Sequence, residues 1–189
     1  MRGHSVTWGD MGIINLCQSA KNYKEKRLAY LALQLVPHDN PTYLKMASNS
    51  IKADLDSNSQ YRGSVALCAL AAVGTPEMLS ELSTSVASLI KNKDSLYLRK
   101  KALVVALITT KAAPDVAGQF VEPALLAIND QSNSIRLTGC QLATALVNLV
   151  DGAHERFAKQ IQVFVKLLND LSKQSNPENE LGGVNDPFL

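Results

Sequence analysis

The small and apolar positions of the chain repeat at intervals of 37, 36 and 37 residues. Four segments align without gaps, and each carries a small residue followed directly by an apolar or aromatic one, with another apolar residue four positions after the small one. The small residues are Ala29, Ala66, Ala102 and Gly139. Positions three and four apart share one face of an α-helix. Each segment therefore predicts a helix whose small residue lets a neighbouring helix approach closely.

A second marker, proline, recurs between these segments and opens apolar-periodic stretches. The prolines are Pro41, Pro76 and Pro114, and the stretches that they begin cover residues 41–56, 76–91 and 114–129. Proline is tolerated in the first helical turn because the backbone N–H there has no partner within the helix. Asn40 and Thr75 precede two of the prolines as N-cap residues. Each repeat is therefore predicted to be a hairpin of a proline-started helix and a small-residue helix.

Both ends of the chain extend the same pattern. Residues 10–20 predict the first helix of an opening hairpin, and residues 153–172 predict the first helix of a fifth. Residues 1–173 are thus expected to form one unit of about four and a half hairpins, with residues 174–189 as a loop leading into a further helix. The pattern predicts an all-α fold, a right-handed α-solenoid of HEAT or armadillo type cut from a longer rod.

Composition and charge exclude two classes of protein. Lys and Arg number 19 against 17 Asp and Glu, so the net charge is only +2, and a dedicated nucleic-acid binder usually has a strong basic excess. The longest uninterrupted apolar run is residues 65–73, which is shorter than the roughly 20 residues that a membrane span needs. We therefore expect neither nucleic-acid binding nor a membrane-spanning helix.

The cysteine pattern does not indicate a disulfide framework. Cys17, Cys68 and Cys140 are an odd number, and each stands in an apolar helical pattern. We therefore predict three reduced and buried thiols that pack as small apolar side chains.

Motifs for catalysis, metal binding and cofactor binding are missing from the sequence. His154-Glu155 begins like a zinc-protease motif, but the second histidine is replaced by Ala158. No paired cysteines have metal-ligand spacing, and no serine stands in a glycine-flanked nucleophile turn. The sequence thus predicts a protein that is not an enzyme, with no catalytic, cofactor-binding or metal-ligating residues.

One basic cluster is the candidate binding site. Its members surround a single Asp94 and are Lys91, Lys93, Arg99, Lys100 and Lys101. Residues 99–101 fall in the first turns of a predicted helix, where each exposed positive charge is unfavourable by roughly 0.3–1 kcal/mol because of the helix dipole. Residues that are locally unfavourable often have a functional role. One hypothesis is therefore that this cluster binds an acidic partner or an anionic head group. The alternative is a solvated edge whose long aliphatic stems cover apolar surface.

Several short strings resemble motifs of a known family. They are residues 3–4 (GH) with 8–9 (WG), 24–31 (KEKRLAYL), 49–55 (NSIKADL), 65–67 (VAL), 98–102 (LRKKA) and 182–189 (GGVNDPFL). Their order and spacing resemble the trunk of the large adaptins, the γ/α/δ/ε class of clathrin-adaptor subunits, and the last string is most similar to γ-adaptin. The sequence departs from the family at Pro37, where the family usually keeps an apolar helix end.

The resemblance implies a non-enzymatic scaffold in vesicle-mediated intracellular protein transport. Its implied partners are a small σ-type chain, a medium μ-type chain, β-adaptin and an Arf-type GTPase. The implied location is cytoplasmic, peripheral on trans-Golgi network and endosome membranes and on coated vesicles. Membrane contact by these residues is expected to be weak, because the family's phosphoinositide and dileucine-signal sites would precede Met1. The alternatives are other HEAT-repeat scaffolds: a δ-adaptin or coatomer subunit, a nuclear-transport receptor or a phosphatase scaffold.

Overall fold

Helices and short helical turns account for all the regular structure in residues 7–35, 41–57 and 59–173, the part of the chain that the structure, a computed structural model, describes. The α-helices are α1 (Asp10–Ser19), α2 (Tyr23–Leu35), α3 (Pro41–Leu55), α4 (Gln60–Val73), α5 (Pro76–Lys91), α6 (Leu96–Ala112), α7 (Val121–Ile128), α8 (Asn133–Leu149), α9 (Ala153–Ala158) and α10 (Ile161–Lys173). Two 3-10 segments, Thr7–Gly9 and Pro114–Phe120, precede α1 and α7. The all-α prediction is confirmed.

Consecutive helices pack in pairs, which we number hairpins 1 to 4. The pairs are α1 with α2, α3 with α4, α5 with α6, and α7, together with the 3-10 segment before it, with α8. The first helices pack against one another in chain order, and so do the second helices, while α9 packs against α8. Two layers of helices thus enclose one hydrophobic core between them, which is the arrangement of an α-solenoid. The right-handed sense stays a prediction.

The recurring small residues lie where second helices meet their neighbours. Ala29, Ala66 and Ala102 have no exposed surface. A Cβ atom placed on Gly139 would lie 2.8 Å from the Cβ of Ala127, closer than real carbon atoms approach. The expectation that these positions permit close helix contact is therefore confirmed.

Two of the three proline-started helices are found as the sequence predicted. The helices α3 and α5 begin at Pro41 and Pro76 and end within one residue of the expected positions. The third prediction, one helix over residues 114–129, is wrong, because a 3-10 segment precedes the shorter α7. Pro123 explains the difference, since its ring would clash with the carbonyl of Gln119 and it has no N–H to donate within a continuous α-helix. The α-helix instead starts at Val121 and keeps Pro123 in its first turn.

The single helix predicted over residues 153–172 is also wrong, because α9 and α10 replace it. The turn between them has hydrogen bonds between residues three apart, as in a 3-10 helix: Gln160 N donates to Phe157 O and Val163 N donates to Gln160 O, each over 2.9 Å. Neither glycine nor proline stands at this break, so the residue pattern gives no signal for it. The predicted Asn40 cap and the loop over residues 174–189 lie outside the described residues.

Thr75 caps α5, and its loss should have a measurable cost. The Met78 N–H donates to Thr75 Oγ1 over 3.4 Å, which satisfies one of the free N–H groups at the helix start. We expect Thr75→Ala to lower the free energy of unfolding by about 1 kcal/mol, measured by urea denaturation. Thr144→Ala is the control, because the Thr144 hydroxyl is exposed and bonds only a carbonyl of its own helix. An equal loss in both variants would contradict a capping role.

Candidate interaction surfaces

A buried cation, Lys26 in α2, joins hairpin 1 to hairpin 2. Its Nζ lies 2.7 Å from Asp54 Oδ2 in α3, and both side chains are only 5% exposed. The same ammonium donates a hydrogen bond to the Cys17 carbonyl oxygen at the end of α1. The Tyr30 hydroxyl donates to Asp54 Oδ2 over 2.6 Å. The carboxylate is therefore held by one ammonium and one hydroxyl, each from α2.

Two protonated groups surround this ion pair. Burial raises the pKa of the Tyr30 hydroxyl, and the hydrogen bond to Asp54 and its negative charge raise it further. Burial also raises the pKa of the Cys17 thiol to about 11, although the nearby Lys26 ammonium acts in the opposite direction. Tyr30 consequently stays a hydrogen-bond donor at neutral pH, and Cys17 stays an unreactive thiol.

A second buried cation, Arg99 in α6, joins hairpin 3 to the end of α7. Its guanidinium lies 2.7 Å from Asp130 Oδ2, and its Nε donates to the Ile90 carbonyl oxygen over 3.1 Å. Burial alone would raise the pKa of Asp130, but the Ser132 N–H and the Arg99 and Lys93 charges hold it below its usual value. Arg99 therefore binds within the chain and presents little of its charge to solvent.

These contacts explain why a cation stands in the first turn of α2 and of α6. Lys26 and Arg99 are each the fourth residue of a second helix, and each bonds a carbonyl nine residues upstream. That carbonyl belongs to the last turn of the preceding helix, where the dipole is negative. For each cation, the attraction of the negative end of the preceding helix thus offsets the repulsion from the positive end of its own helix.

The five residues of the predicted basic cluster are placed in three different environments. Lys91, Lys93 and Lys100 are exposed, whereas Arg99 is buried against Asp130 and Ile90. The last member, Lys101, is half-buried and contacts the side chains of Cys68 and Tyr97. The exposed positive charge of the cluster is therefore smaller than the sequence suggests.

Lys101 links α4 to α6. Its Nζ lies 2.7 Å from Cys68 Sγ and 4.7 Å from the centre of the Tyr97 ring. Partial burial alone would lower the pKa of Lys101, but the contacts with Cys68 and Tyr97 keep it above its usual value. Its ammonium therefore stays charged at the surface between two helices.

The three cysteines are free, as the sequence predicted, but they are not all buried. Cys17 is buried, Cys68 is exposed and Cys140 is half-buried. The prediction was wrong for Cys68 because its side of α4 is not covered by another helix of the described chain.

An apolar surface runs across the second helices, and we call it the second-helix face. Its large apolar side chains are 43–61% exposed and are Tyr23, Leu28, Leu31, Leu35, Tyr61, Tyr97 and Val104. Contacts between side chains connect the three helices at this surface: the Tyr23 and Tyr61 rings are 5.7 Å apart, and Lys101 lies against Cys68. The second-helix face is thus continuous over α2, α4 and α6.

The sequence held a signal for this surface that was not used. Residues 65–73 of α4 are apolar on every side, and a helix of that kind is normally covered all round. Yet Cys68 and Ala72 are exposed within the described structure. An all-apolar second helix in a two-layer solenoid is therefore a sequence signal for an exposed apolar side.

The described part of the chain has neither a membrane-spanning helix nor a cluster of metal ligands. None of its helices combines the length and the apolar character needed to cross a bilayer. Its His, Cys, Asp and Glu side chains form no group of three or more that could hold a metal ion.

Comparison with known proteins gives a family match and several relatives. Residues 1–181 match the family described as the adaptin N terminal region. The relatives include AP-1 complex subunits gamma-2 and gamma-1 of Arabidopsis thaliana, 31% and 33% identical over 191 residues, and AP-1 complex subunit gamma of Dictyostelium discoideum, 27% identical over 190 residues. All of this chain is covered in each case, but it spans only 21–22% of each relative's length.

Among structures, the fold resembles a chain in a homology model of the full-length AP-3 complex in an intermediate open conformation. The TM-score is 0.69 and the identity 21%, over 93% of this chain and 30% of that one. The same helical trunk fold is therefore present in both. Since the family match covers nearly the whole sequence, this chain belongs to the adaptin N-terminal region family.

Proposed function

We propose that the chain is a trunk segment of a γ-type large adaptin and acts as a non-enzymatic scaffold in vesicle-mediated protein transport. The family match and the relatives named as AP-1 gamma subunits support this role. An α-solenoid suits a scaffold, because stacked hairpins present long continuous surfaces to several partners. The observation that carries the proposal is the uncovered second-helix face.

The second-helix face is the docking surface for another adaptor subunit in this proposal. Seven large apolar side chains on three adjacent helices are exposed there, and three of them are tyrosines. Fully burying a large apolar side chain contributes about 1.5–3 kcal/mol, and tyrosines are enriched among residues that dominate binding energy. The partner we assign to this face is the small σ-type chain, with the medium μ-type chain and β-adaptin completing the complex.

Membrane recruitment belongs to the same proposal. An Arf-type GTPase would hold the complex on trans-Golgi network and endosome membranes, with this chain as a peripheral component. The exposed Lys91, Lys93 and Lys100 and the half-buried Lys101 are the proposed contact with an anionic surface. Each lysine near an anionic leaflet contributes about 1 kcal/mol, so this contact is weak and sensitive to salt.

Co-expression tests the docking proposal. The tagged chain is expressed with σ-type, μ-type and β-type chains of one adaptor complex, singly and together, and the captured chains are quantified. We expect capture of the σ-type chain, and we expect Leu31→Asp combined with Tyr61→Asp to remove at least about nine-tenths of it. Placing a charge in a desolvated interface costs several kcal/mol, which corresponds to a loss of that size or larger.

Leu126→Asp is the matched control for the charged substitutions. Leu126 lies in α7, outside the second-helix face, and is 50% exposed, close to the 46% of Leu31. The control should capture as much σ-type chain as the unmodified protein. Equal capture by all variants would contradict docking at the second-helix face, and capture of none of the adaptor chains by the unmodified protein would contradict the adaptor role.

A further inference from the structure

One position of the helical repeat is the fourth residue of each second helix. The residues that occupy it are Lys26, Gly63, Arg99 and Arg136. In hairpins 1 and 3 its cation bonds a carbonyl nine residues upstream and pairs with a carboxylate beyond its own hairpin. In hairpin 4 the Nε of Arg136 donates to the Asp130 carbonyl oxygen. Only hairpin 2, among the four described, has no side chain at this position.

Gly63 lies near the same kind of carbonyl oxygen that the cations of hairpins 1 and 3 bond. The carbonyl nine residues upstream is that of Asp54, and its oxygen lies 3.8 Å from the position of a Cβ on Gly63. The Ser57 hydroxyl donates to this oxygen over 2.7 Å in place of a cation. Leu98 Cδ1 lies 3.2 Å from the same Cβ position and covers the glycine.

An open cleft of about 600 Å³ lies at this junction of hairpins 2 and 3. The end of α3, the start of α4, the end of α5 and the start of α6 all contribute to its lining. Leu55, Leu89 and Leu98 are apolar residues of the lining, and Asp56 and Asp94 are its acidic residues. Among the described residues, no lysine, arginine or histidine lines it.

The two carboxylates are exposed, and neither takes part in an ion pair with the described residues. Asp56 Oδ1 accepts a hydrogen bond from the Ser85 hydroxyl over 2.9 Å. At the flanking junctions the corresponding carboxylates, Asp54 and Asp130, are paired with a cation of the chain itself. The junction of hairpins 2 and 3 thus has unpaired negative charge beside a cavity where its neighbours have internal ion pairs.

We propose that this cleft binds an arginine side chain of a partner protein. The apolar lining suits the aliphatic stem of an arginine, and the carboxylates suit its head group. The acceptors come from two hairpins, so a planar guanidinium with five N–H donors reaches more of them than a compact ammonium does. A metal ion is a poor fit, since no three His, Cys, Asp or Glu side chains of the described residues gather in one place.

The inference goes beyond the proposed adaptor function, and its test needs no adaptor subunit. The cleft is formed by helix ends, whereas the second-helix face is formed by the exposed sides of α2, α4 and α6. Failure of one proposal therefore leaves the other standing.

Titration of the full chain with N-acetyl-arginine amide, followed by amide NMR shifts, tests the cleft directly. We expect saturable shifts confined to residues 55–57, 60 and 88–98, with a Kd on the order of 1 mM, as expected for so small a ligand. N-acetyl-citrulline amide, which has the same shape without the charge, should cause none of them. Asp56→Asn combined with Asp94→Asn should weaken binding by about tenfold or more, because charge-assisted hydrogen bonds are lost. Equal shifts with both ligands, shifts elsewhere or unchanged affinity in the double variant would each overturn the proposal.

Gly63→Arg gives an independent test, because it supplies the missing cation from within the chain. Gly63→Gln is its control, since it adds a long side chain and removes the helix glycine without adding charge. We expect the arginine variant to have the higher midpoint of thermal unfolding and to lose the response to N-acetyl-arginine amide. Equal midpoints together with an unchanged response would contradict the assignment. If Leu98 does not make room and the arginine variant fails to fold, the asparagine variants still decide the question.

Discussion

Asp54→Ala should lower the free energy of unfolding by about 3–5 kcal/mol, because it leaves a buried charge without its partner. The Lys26 ammonium would keep only the Cys17 carbonyl, and the Tyr30 hydroxyl would lose its 2.6 Å acceptor. Urea denaturation followed by circular dichroism measures the loss. Lys26→Met combined with Asp54→Leu should be less destabilising than Asp54→Ala, since replacing both charges with apolar groups removes the unpaired ion.

Asp56→Ala is the matched control for Asp54→Ala. Asp56 stands two residues further along, is exposed and accepts one hydrogen bond from Ser85. Its replacement should change the free energy of unfolding by less than about 1 kcal/mol, as is usual for an exposed polar contact. Similar losses from both substitutions would mean that the buried ion pair has no special part in joining hairpins 1 and 2.

Gly139→Val should destabilise the fold by about 3 kcal/mol, at the upper end of what overpacking usually costs. A Cβ on Gly139 would lie 2.8 Å from Ala127 Cβ and 3.2 Å from backbone atoms of Ala127 and Ile128. Backbone atoms cannot rotate away as a flexible side chain can, so α7 and α8 must separate. Urea denaturation again gives the measurement.

Gly12→Val separates this clash from the general effect of replacing a helix glycine. Gly12 lies on an exposed side of α1, and a Cβ there would have no atom of the described residues within 4 Å. Its substitution should be nearly neutral. If Gly139→Val is as well tolerated as Gly12→Val, the small residues of the repeat do not set the distance between helices.

The periodic elements could be predicted because several independent signals agree at them. In hairpin 3, Pro76 starts α5, Thr75 caps it, and Ala102 marks the contact face of α6. The breaks within residues 114–129 and 153–172 depend instead on one neglected proline, Pro123, and on a turn with no glycine or proline. Local pattern therefore predicted the helical hairpins and not their interruptions.

The candidate sites were harder to predict, because charge in a sequence does not say where a side chain points. Arg99 belongs to a run of three cations, yet its side chain is buried and forms an ion pair with Asp130, 31 positions further along the chain. The second-helix face was not recognised in the sequence either, since its leucines and tyrosines follow the same helical period as the apolar residues of the core. Only the packing of the layers separates apolar residues that face the core from those that face outward.

The alternation of buried ion pairs has a mechanical consequence for the rod. Hairpins 1 and 2 are fastened by Lys26 and Asp54, and hairpin 3 is fastened to the end of α7 by Arg99 and Asp130. Between hairpins 2 and 3 the side chains of the described residues form hydrogen bonds, such as those of Ser85 to Asp56 and of Ser48 to Glu81, but no ion pair. Bending stiffness should accordingly be lowest at the junction of hairpins 2 and 3, with a more rigid pair of hairpins on each side. A small opening at that one joint would then swing the two ends of the rod through a much larger distance.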